Sequence, residues 1–167
     1  MYSIGHGARK EADFILLLQQ YGIEYLADVR SFPFSRFHPQ FNRRWLEKSL
    51  TAAGIRYVFM GDTLGGRPAD KDCYDAAGHI DYSRVAGKDF FRKGLERLVE
   101  AARQKVPLAI MCSERGPAQC HRSKLIGVAL QQSGINLKHI DEQGYLKSQQ
   151  EVIATAAGNS ASGRLFD

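Results

Sequence analysis

The segment VPLAIMC, residues 106–112, is the feature that most restricts how this chain can fold. An uninterrupted apolar run is typical of a strand that is buried on both faces of a parallel sheet. Successive parallel strands need long crossover connections, which are usually helices. The segment therefore predicts an α/β fold.

The rest of the chain alternates short apolar runs with amphipathic ones, as α/β proteins do. The pattern predicts strands at residues 2–5, 23–29, 55–60, 106–112 and 135–140, and helices at residues 13–21, 43–53, 88–104, 121–132 and 145–156. A chain of 167 residues suits one domain. We predict a single-domain three-layer α/β/α fold over residues 1–156, with a mainly parallel sheet of about five strands. A flexible tail is expected at residues 157–167.

Composition and charge narrow the functional classes. The sequence has no run of about 18 apolar residues, so no membrane-spanning segment is expected. Its opening, MYSIGHGARK, lacks the apolar centre of a signal peptide, so export is not expected. The three cysteines have no disulfide-framework spacing, so we expect a cytoplasmic protein. A net charge of +5 mildly favours an anionic partner, and no feature indicates an oligomeric state.

Polar residues follow several predicted strands at the point where each strand ends. Ligands of parallel sheets bind outside the carboxyl ends of the strands. The residues at these positions are His6, Asp28, Arg30, Gly61, Asp62, Cys112 and Glu114. We therefore expect a site at this edge of the sheet.

The segment from Cys112 to Arg122 carries the chemically most capable residues of that edge. Cys112 is a candidate nucleophile, because helix amides and nearby cations favour a thiolate; alternatively it is a small buried apolar residue. Arg122 is a candidate ligand for an anion, or the partner of Asp28 or Glu114 in an ion pair. These two carboxylates are candidate catalytic groups or anchors for a polar substrate atom. Arg115 and His121 are further candidate substrate-binding residues.

Metal and cofactor motifs do not match. Cys112, Cys120 and His121, with His6, suggest zinc, but their spacing differs from that of paired zinc ligands, so no metal is expected. The turn around His6 lacks the Rossmann fingerprint because Lys10 occupies the third glycine position. A Walker-type phosphate loop is absent as well, so no cofactor is expected.

Two irregular segments are long enough to carry function. Residues 61–79 have no clear period and are a candidate lid or substrate loop. Residues 31–41 interleave phenylalanines with cations, an arrangement suited to stacking on a base and contacting phosphate; these residues are Phe32, Phe34, Phe37, Phe41, Arg36 and His38. Alternatively, the phenylalanines pack beneath the loop as a satellite core. Trp45, on the following helix, is expected to pack.

From residue 3 to about residue 140 the chain resembles the "domain of unknown function 488" family. The blocks that carry this resemblance are IGH, DVRSFP, PQF, LGG and the CSE…CHR segment. The resemblance implies that the marked positions of the family are His6, Asp28, Arg30, Pro33, Arg36, Phe41, Gly65, Gly66, Cys112, Glu114, Cys120, His121 and Arg122. Gly7 departs from the pattern, since members usually carry serine there. The resemblance implies no reaction.

The chain is also similar, more faintly, to rhodanese-like domains, in which a cysteine loop carries persulfide sulfur. Cys112 and the Arg122-Ser123 pair would occupy the corresponding positions. Nine residues separate Cys112 from Arg122, more than in the related phosphatases, and Ala118 occupies their arginine position.

Three functions follow as hypotheses. The first is an enzyme that binds an anionic substrate, a nucleotide or nucleic acid, through His6, Arg30, Arg36, Phe41, Arg115, His121 and Arg122, with Cys112, Glu114 and Asp28 as catalytic groups. The second is a rhodanese-like sulfur carrier or transferase that uses Cys112. The third is a non-catalytic module that binds nucleic acid or protein.

Overall fold

The apolar run that was predicted as a buried strand lies near the middle of a six-stranded sheet. The computed structural model describes residues 1–162 of the protein. Its strands are β1 (Tyr2–Gly5), β2 (Tyr25–Asp28), β3 (Arg56–Phe59), β4 (Leu108–Cys112), β5 (Lys138–Ile140) and β6 (Leu146–Ser148). They are arranged in the order β3-β2-β4-β1-β5-β6. All neighbours are parallel except β5 and β6, so the predicted mainly parallel sheet is confirmed.

Helices cover both faces of the sheet. They are α1 (Glu11–Gln20), α2 (Arg43–Ala52), α3 (Gly61–Leu64), α4 (Tyr82–Ala86), α5 (Asp89–Arg103), a π-helical segment (Arg122–Gly127) that continues into α6 (Val128–Gln132), and α7 (Gln149–Ser162). Alternate residues of β4 point to opposite faces, as the pleat of a strand requires. Ile110 joins an apolar cluster with residues of α5 and α6, whereas Ala109 and Met111 join a second cluster with residues of α1 and α2. This arrangement is the predicted three-layer α/β/α fold.

The predicted last helix, residues 145–156, was wrong at its start. Asp141 Oδ1 accepts hydrogen bonds from the main-chain nitrogens of Gln143 and Tyr145, and this turn directs the chain back along β5. Residues 146–148 therefore form the antiparallel edge strand β6, and the helix begins only at Gln149. The helix also continues beyond its predicted end, to Ser162, so residues 157–162 of the predicted tail are helical. Residues 163–167 lie outside the described residues, and their flexibility stays a prediction.

The long polar segment at residues 61–79 contains more regular structure than the sequence pattern indicated. It begins with α3 and includes a short 3-10 helix, Lys71–Cys73. Cys73 is fully buried, and Tyr74 pairs with Ile80 across an isolated bridge. Its role as a lid stays a prediction. Within residues 1–162, no helix has the length and apolar character needed to cross a membrane.

Gly5 provides a test of how closely the end of β1 approaches the loop that follows β4. A Cβ added at Gly5 would lie 1.8 Å from the main-chain oxygen of Glu114, and a backbone atom cannot rotate away. We expect Gly5→Ala to lower the free energy of unfolding by about 1–3 kcal/mol, measured by urea denaturation. In the control Gly87→Ala, the nearest contact would be 3.4 Å, and little change is expected. Equal stability of the two variants would contradict the close approach.

Candidate functional site

The carboxyl ends of β1, β2 and β4 lie side by side because β4 is placed between the other two strands. His6 N donates a hydrogen bond to Cys112 O at 3.0 Å, and Val29 N donates one to Met111 O at 2.9 Å. The residues that follow these strands are therefore neighbours. They form two buried polar clusters and an exposed rim.

The first cluster is built on a buried ion pair between Asp28 and Arg30. Arg30 Nη2 and Nε donate to the carboxylate at 2.6 and 2.9 Å, and Nη2 also donates to Phe41 O at 2.8 Å. Tyr57 Oη donates to Asp28 Oδ2 at 2.7 Å. Burial, and then the charge of Asp28, raise the pKa of Tyr57 well above its usual range. Asp28 is fully buried and its two oxygens are occupied, which suits an anchor for Arg30.

His6 connects the first cluster to the loop at residues 31–41. Its Nδ1 donates to Gly7 O at 2.8 Å, which leaves Nε2 to accept from Arg30 Nη1 at 3.3 Å. The imidazole stacks on the Phe41 ring, with centroids 4.3 Å apart. Burial lowers the pKa of His6 to about 4, so the ring is neutral at pH 7. His6 and Phe41 are buried in this arrangement, and their predicted contacts with substrate stay predictions.

The second cluster contains two cysteine thiols and one arginine. Cys112 Sγ and Cys120 Sγ lie 2.9 Å apart, and Arg122 Nε donates to them at 3.0 and 3.2 Å. The imidazole of His121 approaches Cys120 Sγ through Nδ1 at 3.6 Å. His121 Nε2 lies 3.1 Å from Val29 O, and because a carbonyl can only accept, Nε2 carries a proton. Cys112 and Cys120 are both buried.

The charges of this cluster balance when the two thiols share one proton. The hydrogen bond from Cys112 lowers the pKa of Cys120 well below its usual value, whereas burial and the neighbouring sulfur raise the pKa of Cys112. Burial alone would lower the pKa of Arg122, but the cysteine charge outweighs it and raises that pKa. One thiolate, one thiol and one guanidinium together are neutral, which reduces the cost of burying them.

Arg122 does not reach solvent. Its side chain is fully buried, Nη2 donates to Glu114 O at 2.7 Å and to Gly116 O at 3.4 Å, and Nη1 donates to Ser3 Oγ at 3.4 Å. Within residues 1–162, it forms no ion pair with Asp28 or Glu114, so that alternative is wrong, and Arg122 Nε contacts the two cysteine sulfurs instead. An external anion would contact Arg122 only after this cluster rearranged.

A chain of buried polar side chains supports Arg122 from the other side. Ser3 Oγ lies 2.6 Å from His139 Nδ1, and His139 Nε2 lies 2.6 Å from Gln149 Oε1. Gln149 Nε2 in turn donates to Ser123 O at 2.9 Å. Sequence reasoning missed this chain. The signal was present, since Ser3 and His139 are polar residues within strands that are otherwise buried, and neighbouring strands place them side by side.

The exposed rim consists of side chains at this edge of the sheet that face solvent. Glu114 and Arg36 are exposed, and the Glu114 carboxylate accepts no hydrogen bond from the described residues. Arg115 is exposed too, and its stem packs so closely on Gly7 that a Cβ there would lie 2.8 Å from Arg115 Cβ. Gly7 also has a φ of 51°, which favours glycine. The glycine at position 7, where the family resemblance leads us to expect serine, therefore leaves room for the Arg115 side chain.

The loop at residues 31–41 exposes most of its aromatic side chains. Phe32, Phe34 and Phe37 are 73%, 71% and 84% exposed, and only Phe41 is buried. The satellite-core alternative is therefore wrong for three of the four phenylalanines. Trp45 is 57% exposed as well, so the expectation that it packs was wrong.

Cys112, Cys120 and His121 also form a group that could hold a metal ion, since their donor atoms lie within 4.8 Å of one another. The spacing argument missed this convergence because the loop between the cysteines folds back on itself. Soft metals prefer such donors. However, Arg122 Nε lies within 3.2 Å of both sulfurs, and a divalent ion would face this buried positive charge. The two sulfurs are therefore better suited to sharing a proton than to binding a divalent metal ion.

Together, the fold and these clusters define an α/β protein with a buried Cys–Cys–Arg centre at the carboxyl edge of its sheet. A family model described as "Domain of unknown function DUF488" matches residues 10–129. The match spans most of the chain, and the protein belongs to this family. The matched range includes Asp28, Arg30 and the segment from Cys112 to Arg122, whereas His6 lies before its first residue. No curated protein matches the chain.

The buried histidines predict how stability depends on pH. Burial lowers the pKa values of His6 and His139 from 6.5 to about 4. The unfolded chain therefore binds more protons between these pH values, and the free energy of unfolding falls as the pH falls from 6.5 to 4. We expect a loss of up to about 3 kcal/mol per histidine, measured by urea denaturation across this range.

His6→Gln, which removes one of the two buried imidazoles, should flatten this pH dependence. Identical pH profiles of the wild type and His6→Gln would contradict a neutral, buried His6.

Proposed function

We propose that the protein is an enzyme that binds single-stranded nucleic acid along the exposed rim, with the loop at residues 31–41 as the stacking surface. The observation that carries the proposal is the exposure of Phe32, Phe34 and Phe37 on a loop that also presents Arg36. Aromatic side chains on a basic surface bind single strands because every base offers a face for stacking. Several such rings in one short loop favour a polymer over a single nucleotide.

The positive charge around the loop supports contacts with phosphates. Arg43 and Arg44 at the start of α2, and Arg67 after α3, are exposed in addition to Arg36 and Arg115. Asp62 and Glu114 provide the opposing negative charges of this edge. Cations that neutralise phosphates release counterions, so such binding weakens as salt increases.

Hydrogen bonds hold the loop in the conformation that exposes the phenylalanines. Asn42 Oδ1 accepts from Ser35 N at 2.6 Å, and Ser35 Oγ accepts from His38 N at 3.0 Å. Ser31 Oγ accepts from Arg67 N at 2.9 Å, which connects the loop to the segment after α3. A surface ordered before binding loses less entropy when a ligand binds.

Glu114 is the predicted catalytic group that a bound strand would meet first. Its carboxylate is exposed at the rim, while its main-chain oxygen is fixed by Arg122. Asp28 lies behind Arg30, where it orients the guanidinium. In this proposal Glu114 contacts a polar atom of the substrate, and Arg30 and His6 support the loop through Phe41.

The sulfur-carrier alternative is less well supported by the geometry. A persulfide on Cys112 would lie beside the Cys120 sulfur, since the two sulfurs are 2.9 Å apart. A thiolate at that distance attacks the persulfide and releases sulfide. A stable carrier keeps its persulfide away from a second thiol.

The proposal is tested with fluorescently labelled single-stranded DNA and RNA, and with duplex DNA, by fluorescence anisotropy. Phe37→Ala should weaken binding of a single strand by about 5-fold or more, because one stacking contact is lost. Arg36→Gln should lower the slope of log affinity against log salt by about 0.7, the contribution of one phosphate on a single strand.

Two control variants each remove an exposed side chain of similar type from a helix outside the loop. Leu16→Ala removes an apolar side chain that is 63% exposed on α1, and Arg97→Gln removes an exposed cation on α5. Both should bind as the wild type does. Equal losses in Phe37→Ala and Leu16→Ala, or binding that is insensitive to salt, would contradict the proposal and favour a protein partner. Turnover of a bound strand by Glu114→Gln at the wild-type rate would contradict the catalytic role.

A further inference from the structure

The proposed function does not use the buried pair of cysteines. We propose that Cys112 and Cys120 form a dithiol centre that exchanges electrons with small-molecule disulfides, and that Cys120 is the attacking thiolate. The inference concerns a second activity of the chain and does not depend on nucleic-acid binding.

The geometry brings the two sulfurs close to bonding distance. They lie 2.9 Å apart, and a disulfide requires about 2.05 Å. Cys112 ends a strand, whereas Cys120 precedes the π-helical segment Arg122–Gly127, an element that is frequent at functional sites. A shift of less than about 1 Å of the side chains closes the bond. Cys73, the third cysteine, is buried without a sulfur partner among the described residues.

The hydrogen bonds assign the attacking role to Cys120. Its sulfur accepts from Arg122 Nε at 3.2 Å and from the Arg122 main-chain nitrogen at 3.5 Å, and Cys112 Sγ lies 2.9 Å away. Cys112 receives one hydrogen bond from Arg122 and directs its own proton towards Cys120 or towards Glu114 O. Cys120 is therefore the sulfur on which negative charge is best stabilised.

The reaction balances in two displacements. The Cys120 thiolate attacks one sulfur of a disulfide RSSR, so that a Cys120–SR bond forms while the S–S bond breaks and RS⁻ leaves. Cys112 then gives its proton to RS⁻ and attacks Cys120 Sγ, which forms the Cys112–Cys120 disulfide and expels a second RS⁻. Two electrons pass from the protein to RSSR, and the products are the protein disulfide, RSH and RS⁻.

Access to the sulfurs requires local opening of the structure, because Cys112 and Cys120 are both buried. Tyr82, the first residue of α4, packs in the same apolar cluster as Cys112 and Cys120. Val85 of α4 is buried in that cluster, whereas the polar contacts on the outer side of the segment around α4 are partly exposed. Arg84 Nη1 donates to Tyr74 O at 2.9 Å, and Lys88 Nζ lies 2.6 Å from an oxygen of Asp70. Elements held by exposed polar contacts open at low cost in free energy.

Oxidation has an unusual consequence for stability. The disulfide has no negative charge, so Arg122 would be a fully buried cation without a counter-ion. Removing one partner of a buried ion pair is strongly destabilising. Ordinary disulfides stabilise a protein, whereas this one should destabilise it. The reduced form is favoured as a result, and the oxidised form is a reactive oxidant.

The test incubates the whole, folded protein with a large excess of oxidised glutathione, which drives the exchange towards the protein disulfide, and follows free thiols, intact mass and thermal unfolding. Thiol content should fall from three free cysteines to one, with a mass loss of two hydrogen atoms and a peptide that links Cys112 to Cys120. The midpoint of thermal unfolding should fall by about 5–10 °C on oxidation.

Single cysteine-to-serine variants show which cysteine attacks the glutathione disulfide first. Cys112→Ser should trap a glutathione adduct on Cys120, Cys120→Ser should form none at Cys112, and Cys73→Ser, the matched control, should behave as the wild type. The thiol count of the wild type tests the centre even if a variant fails to fold. An unchanged thiol count, an adduct at Cys112 alone, a rise in the midpoint on oxidation, or one equivalent of zinc retained on the purified pair would each overturn the proposal.

Discussion

The burial of Arg122 is the constraint on which the arrangement of this edge depends. A guanidinium with no exposed surface must find all its acceptors within the protein, and those of Arg122 come from β1, from the end of β4 and from the loop that follows it. One of those acceptors must also be an anion, because an unpaired buried charge is costly. The thiolate supplies that charge and thereby fixes the distance between Cys112 and Cys120.

The second buried cation, Arg30, has a different kind of partner from Arg122. This difference separates the roles of the two buried clusters. Arg30 pairs with a carboxylate, Asp28, which is held further by a hydrogen bond from Tyr57. Arg122 pairs with sulfur, whose charge disappears on oxidation. The first cluster is thus a fixed support for the loop at residues 31–41, whereas the second changes its charge with its redox state. The exposed rim is left as the surface proposed for nucleic-acid binding.

Much of the fold could be predicted from the sequence because its signals are local. The strands and most of the helices follow from apolar periodicity, and the gathering of Asp28, Arg30 and Cys112 at one edge follows from the parallel sheet. The edge strand β6 was missed because a turn at Asp141, rather than an apolar run, creates it. The proximity of the two cysteines was missed because spacing along the chain does not reveal how a loop folds back.

The sequence by itself determined the layers of the fold, the order of its elements and the residues available at the carboxyl edge, because periodicity and strand ends are properties of neighbouring residues. Only the tertiary structure decided which of those residues face solvent. The tertiary structure buries Arg122 and exposes Phe37, whereas the order of residues along the chain is compatible with burial or exposure of each side chain. The physical reason is that burial depends on contacts between distant segments, and the free energy of a charge or an aromatic ring is set by those contacts.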